Sequence, residues 1–179
     1  MKFCGTFWLF SCSLLSAQAL IFKHVTVIDG TGAAPRVNVS VAIAGGRITA
    51  IEKNIRARPR DQVIEAKGKF LIPGLWDMHI HLGPPEIFFP LLIANGITGV
   101  REMFTGIPMA TIRAWRARPD VPRIFAPGFI DGPPMLSGGP PPPGAIAVAT
   151  PDQARFAVHA LAASGVDFLK VYNSIPRDA

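Results

Sequence analysis

The stretch Leu71-Ile72-Pro73-Gly74-Leu75-Trp76-Asp77-Met78-His79-Ile80-His81 separates two kinds of pattern in the chain. Ahead of it lie short strands. Residues 22–28 are β-branched with partial alternation, and Asp29-Gly30-Thr31-Gly32 stops them. Residues 37–44 and 47–51 read as a hairpin through Gly45-Gly46, since both glycines tolerate positive φ. Residues 63–66 and 69–72 follow, with Gly68 at the bend. Strands this short and this regularly punctuated predict a small β-sandwich, or part of one, over 20–72.

After Pro73 the period changes. A strand at 75–80 is followed by a helix that Pro84-Pro85-Glu86 opens and Asn95-Gly96 closes after Ala94. A strand at 97–103, a helix at 109–116 and a strand at 123–129 come next. Thr150-Pro151-Asp152-Gln153 has the N-cap, first-turn proline and third-position glutamine of a capping box. That helix runs to Ser164 with Gly165 as its cap, and a strand follows at 166–172. Repeated strand–helix alternation predicts parallel βα units. The expected fold class is α/β: the first four βα units of a (β/α)8 TIM barrel over 73–179, preceded by the sandwich-like region. An eight-unit barrel needs at least ~200 residues, so this sequence is expected to hold the first half only.

Composition narrows the function classes. Of 179 residues, 49% are apolar and 17% charged, which is globular and excludes a disordered tail. The 18 Lys and Arg against 12 Asp and Glu give a net charge of +6, but the basic residues are scattered, densest at Arg56, Arg58 and Arg60. Without an aromatic-interleaved basic patch, nucleic acid is not an expected partner. Lys2, the apolar run 3–15 and Ser16-Ala17-Gln18-Ala19 have the order of a secretory signal. Cleavage is expected after Ala19, giving a secreted or periplasmic protein with no stable membrane insertion. The run is short for a span of ~20 residues, which favours cleavage over the alternative of an uncleaved anchor. Bulky Phe10 argues against a lipoprotein at Cys12. Cys4 and Cys12 both fall in this leader, so the mature chain is expected to have neither disulfide nor thiolate metal site.

Chemistry gathers at the strand ends. His79 and His81 are two apart and so share one face of their strand, at the rim where barrel enzymes build their sites. Two imidazoles there can hold one metal ion; two surface histidines are the alternative. Lys170 stands in an otherwise apolar strand, where a lysine is costly unless paired or able to reach solvent. Asp77 either orients a ligand imidazole or is a plain strand-end carboxylate. Arg101 and Glu102 either line a substrate pocket or pair with one another. His159 shares a helix face with Arg155 and reads as an exposed helix histidine, and His24 as structural. The connection 130–149, with Gly132-Pro133-Pro134 and Gly139-Pro140-Pro141-Pro142-Pro143-Gly144, is expected to be a loop over the barrel mouth, a polyproline partner motif being the other reading.

Residues 71–81 resemble the first-strand signature of the amidohydrolase superfamily. The chain looks more closely like its imidazolonepropionase-like and Xaa-Pro dipeptidase-like branch. Asn95-Gly96-Ile97-Thr98-Gly99-Val100-Arg101-Glu102-Met103 is similar to that branch's second strand, and Gly165-Val166-Asp167-Phe168-Leu169-Lys170-Val171-Tyr172 to its fourth. The resemblance implies that Lys170 is carboxylated and catalytic, its carbamate bridging two divalent ions, zinc by expectation, with His79 and His81 as further ligands. A bridging water is then deprotonated near neutral pH and attacks a carbonyl that one metal polarises. The superfamily draws two more histidines from its fifth and sixth strands and an aspartate from its eighth, which this sequence does not contain. The implied function is exported hydrolysis of a C–N bond in a small molecule, either a dipeptide or a cyclic amide. The alternatives are a catalytically inactive fragment, and a mononuclear deaminase or cyclic-amide hydrolase with Lys170 unmodified. Open strand edges of a partial barrel would also admit a homo-oligomer.

Overall fold

The computed structural model describes residues 18–133 and 143–179, so most of the expected leader and the centre of the proline-rich connection lie outside the described residues. The chain divides into two compact units, the first ending at Pro73 and the second spanning Gly74–Ala179. The first unit holds β1 (Leu20–Val27), β2 (Arg36–Ala44), β3 (Arg47–Glu52), β4 (Gln62–Glu65) and β5 (Phe70–Leu71). β1–β2 and β2–β3 pair antiparallel, and β4 and β5 both pair parallel to β1. Pairing is thus continuous through β1 in one five-stranded sheet, where the punctuation suggested two packed layers. The glycine hairpin forms as expected, with φ of 58° at Gly45 and 72° at Gly46. His24 has φ 58° within the irregular stretch of β1, between the part that pairs β4 and the part that pairs β5. Its Nδ1 lies 2.8 Å from Glu65 at the end of β4.

The second unit is mixed α/β: β6 (Leu75–Ile80), α1 (Pro85–Ala94), β7 (Ile97–Glu102), α2 (Met109–Arg116), β8 (Arg123–Phe125), β9 (Pro127–Asp131), β10 (Ala145–Ala147), α3 (Pro151–Ser164) and β11 (Phe168–Val171). All pairs are parallel, in the orders β6-β7-β8 and β10-β9-β11. The single strand expected at 123–129 is broken at Ala126 and runs on to Asp131. The break has a cause: the Ala126 N–H donates to Asp167 Oδ2 at 2.7 Å, and that carboxylate also accepts from Arg116. The connection expected as pure loop contains β10, a strand of three residues too short to show a readable period. Among the described residues, no helix is long and apolar enough to cross a membrane.

Two apolar clusters join strands to helices. Val100, Ile124 and Ala126 pack with Phe89, Leu92 and Ile112, while Ile130 packs with Ala157 and Leu161. α3 begins as its sequence requires: Thr150 accepts the Gln153 N–H at 3.3 Å and Gln153 Oε1 accepts the Ala149 N–H at 2.8 Å. Gly165, at φ 84°, ends it.

Ala19, the residue expected to precede a cleaved bond, is buried and bonded into the first unit. Its N–H donates to Asp61 Oδ1 at 3.1 Å and its carbonyl accepts from the Gln62 N–H at 2.9 Å. Asp61 also accepts the Arg58 N–H at 2.8 Å and the Arg58 guanidinium. Bonds from the Arg58 side chain, then its backbone, hold the Asp61 carboxyl far below the usual carboxylate range. A carboxyl whose pKa is depressed by folding stabilises the fold fully above its unfolded value, ~3.9, and loses that contribution as pH falls through the folded value. The urea midpoint of the first unit should fall more steeply below about pH 4 in the wild type than in Asp61→Asn. Parallel acid limbs in the two proteins would contradict this.

Candidate active site

The second unit's strands have two unlike faces. One is buried against the helices; the other carries Trp76, His79, His81, Arg101, Phe129 and Lys170, by alternation from Ile80, Val100, Ile130 and Leu169, which pack on the helix side. β6 reaches this arrangement through an irregularity. Its register with β7 is broken between Asp77, which pairs Val100, and Ile80, which pairs Glu102. Asp77 pairs a helix-facing valine, so strict alternation would send His79 and His81 to the helices as well. The break instead leaves Ile80 facing the helices and the two histidines on the open face, with ring centroids 5.6 Å apart.

The backbone groups freed by the break are satisfied locally. Asp77 Oδ1 accepts the His79 N–H at 3.0 Å, so Asp77 bonds backbone and not an imidazole. The Met78 carbonyl accepts from Arg101 Nε at 2.7 Å; at Ile80 the parallel ladder resumes, its carbonyl accepting from the Met103 N–H at 2.7 Å. Arg101 and Glu102 do not pair with each other. As neighbours on a strand they face opposite ways, Arg101 toward Met78 and Phe168, Glu102 inward at 3% exposure.

His81 and Lys170 come from the first and last of these strands and meet one turn. His81 Nδ1 lies 3.2 Å from the Phe104 carbonyl, and Lys170 Nζ donates to the Met103 carbonyl at 2.8 Å. Lys170 Nζ also stands 5.6 Å from the Phe129 ring centre and 5.3 Å from that of Tyr172. The turn itself gave no signal in the sequence, because its contribution is made by backbone carbonyls. His159 is exposed on α3, away from these residues in sequence and contacts. A mainly apolar cavity of about 390 Å³ borders the same turn, lined by Glu102, Phe104, Met109, Leu161 and Val166, but none of His79, His81 and Lys170 lines it.

Comparison with known proteins is consistent with this geometry. No family model matches the chain. It is 37% identical over 91 residues to the dihydroorotase of Anoxybacillus flavithermus, covering 50% of this chain and 21% of that one. It is 40% identical over 63 residues to the N-acetylglucosamine-6-phosphate deacetylase of Lysinibacillus sphaericus, covering 35% and 16%. Among solved structures, a Xaa-Pro dipeptidase with methionine in its active site superposes with TM-score 0.65 at 23% identity, covering 86% of this chain and 46% of that one. An amidohydrolase superposes with TM-score 0.66 at 21% identity, covering 86% and 46%. The chain is thus similar, over part of their length, to hydrolases of the amidohydrolase type. The chain spans about a fifth of the length of the curated relatives it matches and under half of these solved structures.

His79 and His81 are residues of a type that binds divalent ions. Among the described residues, no three His, Cys, Asp or Glu side chains gather to hold a metal. Two imidazoles alone fall short of the four ligands that a structural zinc site needs. Zinc should therefore bind this chain weakly in calorimetry, and His79→Ala should weaken it further. Sub-nanomolar affinity would mean that further ligands exist.

Proposed function

We propose that the chain is the first-to-fourth-strand part of the barrel of an exported, metal-dependent hydrolase acting on C–N bonds. Its nearest chemical class is the branch that includes the imidazolonepropionase-like and Xaa-Pro dipeptidase-like proteins, with a dipeptide or cyclic amide as substrate. The observation that carries this is the convergence of His81 and Lys170, from opposite ends of the strand series, on consecutive carbonyls beside His79. In this reading 1–19 is the export leader. Processing upstream of Ala19 would keep its bonds to Asp61 and Gln62; processing after it would lose them.

A divalent ion, with zinc as the expected one, would supply Lewis-acid chemistry at the substrate carbonyl and lower the pKa of a water. His79 and His81 would present neutral nitrogens to it. Lys170, as a free amine, would add to carbon dioxide: the nitrogen–carbon bond forms, one proton leaves, and an anionic group with two oxygens results, able to bridge two ions. Arg101 is already committed to Met78, so it shapes the floor of the site and does not reach for substrate.

A second reading rests on a specific observation. The unmodified Lys170 amine is well housed, with a carbonyl at 2.8 Å and two aromatic faces, which suits a mononuclear site where Lys170 stays an amine. Metal analysis and a rate assay across dipeptides and cyclic amides separate the two in the active protein. If Lys170 bridges, Lys170→Ala should lose metal and several orders of magnitude in rate, and short carboxylic acids should partly restore it. One metal per chain in both proteins, with near-equal rates, would leave His79 and His81 as the ligands and end the bridging role.

A further inference from the structure

Phe104 is left-handed, with φ 83°, a conformation that a bulky side chain rarely adopts. Strain of this kind persists only where the surroundings enforce it. Three contacts do so. Glu102 Oε2 accepts the Phe104 N–H at 2.9 Å, and its other oxygen accepts the Thr105 hydroxyl. The Phe104 ring stacks on Phe129, with centroids 4.5 Å apart and planes 19° from parallel. The Met103 N–H is fixed to Ile80.

The geometry has a consequence for hydrogen bonding. In extended backbone, successive carbonyls point to opposite sides; a residue at positive φ breaks that alternation. At Phe104 this brings two neighbouring acceptors to bear on two candidate ligands, the Met103 carbonyl on Lys170 and the Phe104 carbonyl on His81. A carbonyl can only accept, so His81 must carry its proton on Nδ1 when neutral, which leaves Nε2 with its lone pair free.

We propose that Glu102 and left-handed Phe104 are positioning residues: they aim the two carbonyls that select the Nδ1–H tautomer of His81 and hold the Lys170 amine in register with it. This rests on the metal-site reading of His79, His81 and Lys170 and adds to it the parts that prepare the site. Partners of metal-bound histidine commonly matter ~10–100-fold in metal affinity.

The test uses the chain labelled with ¹⁵N-histidine, which has only four histidines to resolve. Long-range ¹H–¹⁵N correlation without metal should show His81 as Nδ1–H in the wild type. Glu102→Ala should shift His81 toward Nε2–H and weaken cobalt(II) binding by ~10–100-fold. Glu102→Gln, which can still accept the Phe104 N–H, should restore the tautomer. Should Glu102→Ala not fold, Phe104→Gly and Phe104→Val carry the question: glycine adopts positive φ freely and should keep the tautomer, whereas valine should lose it. An Nε2–H His81 in the wild type, or the same tautomer in folded Phe104→Gly and Phe104→Val, would overturn the proposal. The predicted tautomer changes without any cobalt(II) binding in the wild type would support the positioning role while removing the metal-site reading on which it was built.

Discussion

Burial of one face of the parallel strands against α1, α2 and α3 is the constraint from which the second unit follows. Val100, Ile124 and Ile130 are between 0 and 3% exposed on that face. Each buried position fixes its neighbours outward, because strand side chains alternate. Arg101, Phe129 and Lys170 are therefore placed by the valine, isoleucine and leucine beside them before any chemistry is asked of them. The same constraint explains why Glu102, a carboxylate on the helix side, needs internal partners: at 3% exposure it cannot rely on water, and the Phe104 N–H and Thr105 hydroxyl take that place.

The strands are also tied to one another by charge. Asp167, just ahead of β11, accepts from Arg116 at the end of α2 and from Ala126 between β8 and β9, while its own N–H donates to the Ala126 carbonyl at 2.9 Å. Both backbone groups of the break in the third strand are satisfied this way, so the break is a built feature. Asp131 plays a comparable part at the other end of β9: fully buried, it accepts the N–H groups of Gly132 and Ser174 and so fixes the chain that follows β11. A Cβ on Gly132 would come within 1.9 Å of the Ser174 carbonyl oxygen, which is why the chain can pass there only with glycine.

Elements whose signals are local were legible in the sequence. The Gly45-Gly46 hairpin and the capping of α3 by Thr150 and Gln153 each rest on residues a few positions apart. Features set by pairing over distance were not. The parallel attachment of β4 and β5 to β1 and the division of the third strand at Ala126 depend on partners 40 or so residues away, such as Asp167, and β10 on a strand 16 residues back. The candidate site divides along the same line. His79, His81 and Lys170 stand out as residue types, but the acceptors that orient them are main-chain atoms, and the separation of Arg101 from Glu102 follows from strand faces. An ion pair between adjacent strand residues conflicts with alternation, and that argument was available from the sequence.

The irregularity in β6 shows why a short motif can mark a family so strongly. With regular pairing from Asp77 onward, His79 and His81 would point into the apolar layer between strand and helices. Displacing the register by a residue costs ladder hydrogen bonds, and two groups make them good: the Asp77 carboxylate for the His79 N–H and the Arg101 guanidinium for the Met78 carbonyl. Asp77 and Arg101 thus have no need of a catalytic role to matter. They stabilise the break that turns the histidines to the open face, where Lys170 and the turn at Phe104 already stand. The aspartate two positions ahead of the first histidine and the arginine on the next strand are as much part of the motif's physical content as the imidazoles it presents.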